Sequence, residues 1–146
     1  MGSDGRDGYG CSRRSSKPHF CLSLNAAAQN GETSAEASTF LINGVTAHRG
    51  NSSEFPENTI PAFQSGIKVG ADWIELDIFR TKDGKLVVTH DRTTKRVGNR
   101  ELVVAEFTYE DLAAVDVATD FRRHTGKTVA DCPPHRMPLL DDVLRL

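Results

Sequence analysis

Residues 71–91 read ADWIELDIFRTKDGKLVVTHD, and the period of this stretch decides the fold. Successive side chains of a strand point to opposite faces. Trp73, Glu75, Asp77 and Phe79 therefore share one face, and Ile74, Leu76 and Ile78 share the other. Such a strand buries its aliphatic face beneath helices and leaves two acids on the opposite side. Asp83-Gly84 marks a turn, with Lys82 and Asp83 as turn formers, and KLVVTHD is a second strand-like run. A turn this short suggests a hairpin, whereas parallel neighbours need a longer returning crossover. Both readings stay open at this point.

Working outward, FLINGVTA (40–47) is a short apolar run suited to a strand, and it ends at His48-Arg49-Gly50. NSSEFP is a loop. Asn58 is the expected cap of a helix in which Ile60, Phe63 and Ile67 recur at helical spacing, and Gly70 is its stop. Downstream, EFTYEDLAAVDVATDF reads as a helix with Thr108 as N-cap and with Leu112 and Val115 on one face. FRRHTGKTVADCPPHRMP reads as a polar loop, and PLLDDVLRL begins a further helix. Strands alternating with helices predict an α/β fold with parallel strands, in at most one domain.

Residues 1–40 differ from the rest. MGSDGRDGYG and NGETSAEAST bury too little apolar surface to offset their ordering entropy, which predicts a disordered arm. Between them, Arg13-Arg14, Lys17, PHFCLSLN and Ala26-Ala27-Ala28 loosely follow the order of a secretory signal. Cytoplasmic and exported locations both fit such a segment. Across all 146 residues, 38% are hydrophobic and 26% charged, which excludes collagen, wholesale disorder and disulfide-dense mini-domains. A net charge of −2 supplies no basic excess to draw the chain to nucleic acid or an anionic membrane. The apolar runs are far shorter than the roughly 20 residues that span a bilayer. Cys11, Cys21 and Cys132 make an odd count without C-x-x-C spacing, so a disulfide framework is not expected, and a single Cys11–Cys21 bridge is the one pairing left open.

Glu75 and Asp77 stand about 7 Å apart along one strand face. Paired oxygen donors suit a hard cation such as Mg²⁺ or Ca²⁺, while the plainer reading is a half-exposed antiparallel strand with solvated acids. His48 and His90 each follow an apolar run, where α/β proteins gather their catalytic groups. An imidazole pair beside a cation-bound phosphate can divide proton removal from proton delivery. Arg49 offers a planar fork for phosphate oxygens. Cys132 and His135 have metal-ligand spacing without a second pair, so a polar loop is the expected reading. Arg92, Lys95 and Arg96 are read by default as a solvated basic loop, with attraction to a phosphate headgroup as the alternative, and His19 and His124 lie in polar stretches and need no role.

AHRG, ENTIPAF and GADWIELDIFRTKDGKLVVTHD, in this order, resemble the glycerophosphodiester phosphodiesterase family, and the resemblance runs from about Val45 to Leu146 through RTTKRVG and PLLDDVL. It implies the N-terminal portion of a (β/α)8 TIM-type barrel over residues 41–146. It also implies His48 and His90 as the acid/base pair, Arg49 as a phosphate ligand and Glu75 and Asp77 as metal ligands. Glu57, in the ENT motif, is implied to lie near the site and orient Arg49 or His48. The implied partner is a small glycerophosphodiester. The family's third acidic metal ligand, in an E-x-K pattern on a later strand, lies beyond Leu146. A complete barrel needs roughly 250 residues, so the 106 residues that follow the forty-residue arm suffice for only about its first three or four strands, and the chain reads as a fragment. Three functions follow: a metal-dependent glycerophosphodiesterase, an inactive partial barrel that binds partners or oligomerises, and a phospholipase D-like lipid phosphodiesterase.

Overall fold

β3 (Trp73–Arg80) is the axis on which everything else is hung. The computed structural model describes residues 20–25 and 44–146. In it β1 (Phe20–Asn25) pairs antiparallel with β3, β2 (Thr46–His48) pairs parallel with it, and β4 (Leu86–Val88) returns antiparallel to its far end. Ile74 and Leu76 are buried, at 4% and 0% exposure, in a cluster with Phe63, Ala71, Val88, Leu140 and Val143. Helices α1 (Ile60–Lys68) and α4 (Leu140–Val143) supply the cover for that face. The period-two reading of residues 73–79 thus describes the sheet correctly, with the two acids on the face away from the helices.

Three expectations need correction, and one reading left open is decided. The sheet is not purely parallel, because only β2 and β3 run together. Asp83-Gly84 closes a hairpin: Thr81 N–H donates to the Lys85 carbonyl, and the Thr81 hydroxyl donates to Asp83 Oδ1 at 2.6 Å. Thr59, not Asn58, occupies the cap position of α1, since Asn58 sits at φ 55° in the left-handed region. The expected arm contains β1, whose backbone finds partners along Trp73–Ile78. The signal-like run at 13–19 and 26–28, Cys11, His19 and residues 40–43 lie outside the described residues.

The segment from Phe107 onward is also divided. Thr108 caps α2 (Tyr109–Ala113) through a reciprocal box with Asp111, as its sequence suggests. Helix α2 then ends, and α3 (Thr119–Thr125) starts separately, taking in part of the expected polar loop. Asp116 lies between them. Its carboxylate accepts from the backbone N–H of Ala118 and His135 and pairs with Arg122, and this local bonding competes with continued helix. Leu112 and Val115 remain buried together, with Val87, Val97, Val104, Val117 and Met137, in a second cluster beneath Phe79. Residues 137–139 run beside β4: Val88 N–H donates to the Pro138 carbonyl, and Val87 bridges Leu139.

Candidate active site

The six candidate residues of the sequence come from four places in the chain and meet at one end of β3. His48 closes β2, where its register partner is Glu75, and its Nε2 lies 3.7 Å from Glu75 Oε2. Arg49 follows in the left-handed region, at φ 60°, so the chain leaves the sheet sharply. Its backbone N–H donates to both the carbonyl and Oε2 of Glu75, at 3.0 and 3.1 Å. Gly50, at φ 79°, has no substitute here, because a Cβ would meet the backbone carbon of Ala62 at 2.6 Å. The H-R-G run is therefore a steric solution to turning off β2 against α1.

His90 arrives by a route other than the one its sequence position suggests. It does not stand at the carboxyl end of a parallel strand. The hairpin folds back instead, and Thr89 N–H donates to the Asp77 carbonyl at 2.9 Å, bringing His90 down beside the acids. Nδ1 of His90 is 2.8 Å from Asp91 Oδ1. An ionised Asp91 can only accept, so Nδ1 carries the proton of this hydrogen bond. Burial raises the Asp91 carboxyl, but its bonds to His90 and Arg96 outweigh that and hold it below the ordinary 3.8.

Arg49 also links the two acids. Its Nη1 donates to both oxygens of Glu57, at 3.2 and 3.3 Å, and its Nε stands 3.7 Å from Asp77 Oδ2. That Nε and that Oδ2 are both buried without a hydrogen-bond partner. Burial, and next the charge of Glu75, push the Asp77 carboxyl above its ordinary value. Glu57 moves the other way. Burial opposes its ionisation, yet the hydrogen bonds and charges of Arg96 and Arg49 hold it below 4.5.

Three further participants were read otherwise in the sequence, Asn58 as a helix cap, Arg96 within a basic loop and Asp91 without a role of its own. Asp91 orients His90, Arg96 grips Glu57 and Asp91 together, and Asn58 donates its backbone N–H to the Arg49 carbonyl at 3.0 Å. The only signal for Arg96 was its place in a basic run after His90-Asp91, which carries no period. Cys132 is a buried free thiol and the backbone N–H of His135 is bound by Asp116. Among the described residues no three His, Cys, Asp or Glu side chains gather as a metal site, and no helix is long and apolar enough to cross a membrane.

The model of the Glycerophosphoryl diester phosphodiesterase family matches residues 48–146. Glycerophosphodiester phosphodiesterases of Bacillus altitudinis and Caldanaerobacter subterraneus subsp. tengcongensis are 41% and 45% identical over 102 residues, which is 70% of this chain and 39% of each relative. The crystal structure of glycerophosphodiester phosphodiesterase from Agrobacterium tumefaciens str. C58 superposes with a TM-score of 0.61 at 30% identity, covering 70% of this chain and 42% of that one. Its fold is the TIM barrel, and the present chain forms a partial α/β fold that spans about two fifths of the length of these relatives. With the family match extending over more than half of its residues, the chain belongs to the glycerophosphoryl diester phosphodiesterase family.

Proposed function

We propose that this site serves metal-dependent hydrolysis of glycerophosphodiesters to an alcohol and glycerol 3-phosphate. The observation that carries the reading is the buried pair of Arg49 Nε and Asp77 Oδ2, each without a hydrogen-bond partner, at the meeting point of two histidines and three acids. A buried polar atom left unpaired costs about 1–3 kcal/mol, so such a pair is best explained by a ligand that completes it. Arg49 Nε suits a phosphate oxygen. Asp77 Oδ2 and the neighbouring Glu75 carboxylate are oxygen donors that fit Mg²⁺ or Ca²⁺. Such a cation, when bound, would offset the negative charge of the phosphoryl oxygens.

The chain's own groups account for the proton movements. His90, held through Nδ1 by Asp91, can carry a proton on Nε2 and give it to the departing alkoxide. His48 is then the base that takes a proton from the attacking hydroxyl, whether water or the substrate's own glycerol hydroxyl. Its 63% exposed side chain has room to approach that group. Arg49 holds the phosphate in place meanwhile.

The test joins this chain to the C-terminal remainder of the Bacillus altitudinis relative and assays release of glycerol 3-phosphate from glycerophosphocholine. His48→Ala and His90→Ala should each lower kcat by about 10²-fold or more, as loss of an acid or base does. Glu75→Ala should weaken Mg²⁺ or Ca²⁺ binding, measured by calorimetry, by over tenfold. Near-normal turnover in either histidine variant, or unchanged cation affinity in Glu75→Ala, ends this reading.

A further inference from the structure

Arg96 touches both halves of the site. Its Nη1 and Nη2 donate to Glu57 Oε2 and Oε1 at 2.8 and 2.6 Å, and its Nε donates to Asp91 Oδ2 at 2.6 Å. Glu57 in turn receives Arg49 Nη1, and Asp91 holds His90 Nδ1 through its other oxygen. The result is an unbroken series, Arg49–Glu57–Arg96–Asp91–His90. One end is the guanidinium read above as the anion ligand, and the other is the imidazole read as the proton donor.

We propose that Arg96 is a positioning residue that fixes Arg49 and His90 relative to one another by gripping Glu57 and Asp91 in a single fork. The proposal rests on the functional reading above. Three donors of a planar guanidinium engage two carboxylates at once, a span that an ammonium point charge does not reproduce. The bonds from Glu57 to Arg96 are shorter than its 3.2 and 3.3 Å bonds to Arg49, so Glu57 is set chiefly by Arg96. Without Arg96, Glu57 would close onto Arg49 and draw it off Asp77. Asp91 would keep no fixed partner but His90, and the ring would lose its fixed orientation.

The backbone beneath Arg96 is built to hold it. Thr94, fully buried, donates its hydroxyl to the Arg100 carbonyl at 2.6 Å and accepts from Leu102 N–H at 2.9 Å, closing the loop that carries Arg96. Gly98 lies so close that a Cβ would meet Val115 Cγ1 at 2.7 Å, which seats the loop on the second core cluster. Arg96 itself is 40% exposed, and ion pairs at such sites add little to stability. A long-range fork, 39 residues in sequence from Glu57, is better explained by alignment than by stability.

The experiment uses the present chain, with sn-glycerol 3-phosphate as calorimetric probe and the ¹⁵N shifts of His90 as a ligand-free readout. In Arg96→Met, probe affinity should fall by about tenfold or more, the cost of losing charge-assisted hydrogen bonds. His90 should also lose its single Nδ1–H tautomer, with the melting midpoint nearly unchanged. Arg96→Lys, which keeps the charge, should show the same two losses in weaker form, and it carries the test if the Met variant loses its cooperative melt. A His90 tautomer unchanged in both variants overturns the proposal whatever the probe does. Arg49→Met separates the two readings. If it abolishes probe binding while Arg96→Met leaves binding intact, the positioning role fails and the site reading stands. If Arg49→Met binds the probe as tightly as the unaltered chain, the site reading itself fails.

Discussion

Glu75 and Asp77 are held in a different way from Arg49, Glu57 and His90. The acids ride on β3, with backbone partners on both edges and Ile74 and Leu76 pinned in the core on the reverse face. Hydrophobic burial sets their place. The other three sit on irregular backbone, where Arg49 and Asn58 take left-handed conformations and an alternating series of charges ties the side chains together. Ionic geometry sets theirs. The site thus combines a frame insensitive to salt with a rim that depends on charge, and each half should fail under a different stress.

The largest effect tests the frame. Leu76 is fully buried, so Leu76→Ala should cost about 2–5 kcal/mol by urea unfolding, through lost transfer energy and the residual cavity. The rim should loosen along with the acids, because both rest on β3. A cost under about 1 kcal/mol would mean that the strand is not held from behind. Next comes the loop under Arg96. Thr94→Val keeps the volume but strands the Arg100 carbonyl and the Leu102 N–H, and should cost about 1–3 kcal/mol. Amide exchange should show the loss at 91–103 while β3 stays protected, which is where frame and rim part company.

What could be read in the sequence divides along the same line. Period-two alternation exposed Glu75 and Asp77, because burial leaves a local, repeating trace in the string. His48 and His90 were legible from their places after apolar runs, though His90 reaches the site by a hairpin and not by a parallel strand. The Arg96–Glu57 fork joins positions that no local rule connects, and a basic residue in a polar loop looks the same whether it is solvated or bound. Asp116 cut the expected helix in two for a related reason. Its partners Ala118, Arg122 and His135 span 19 residues, and only the folded chain brings them together. The β1–β3 pairing likewise depended on which backbone edge was open, and composition does not record that.

Acid should loosen the rim and not the frame, and by less. Glu57 and Asp91 are both held below their ordinary values of 4.5 and 3.8. A depressed carboxyl contributes stability that is fully present above its unfolded value and is lost as pH falls through the folded one. Asp77 has the opposite sign. Its raised value means that the folded form holds the proton more tightly, so its contribution is present at low pH and lost on ionisation. Lowering the pH through the folded values of Glu57 and Asp91, which lie below the ordinary ones, should therefore release both while relieving Asp77. Because Arg96 is partly exposed, the rim should lose no more than about 1 kcal/mol. The Gly98 amide should lose protection relative to its intrinsic exchange rate in acid, and that of Leu76 should not. Equal loss of protection in both would erase the distinction between frame and rim.

The smallest effect concerns Asn58, on the rim. Its backbone N–H holds the Arg49 carbonyl and so helps to set the rim, yet its side chain is 4% exposed with both amide atoms unpaired. A residue kept for its conformation alone should be replaceable by glycine, which enters the left-handed region freely. Asn58→Gly also deletes the unpaired amide, a gain that offsets the lost contacts, so unfolding should shift by less than about 1 kcal/mol. Asn58→Ala deletes the same amide but forces a Cβ into φ 55°, and should fall about 1–2 kcal/mol below the glycine variant. The amide borders a cavity of about 10 Å³ lined with Glu57, Val88, Thr89 and Met137, close to the least space that admits a single water. If Asn58→Gly proves as costly as Asn58→Ala, backbone conformation is not what Asn58 supplies.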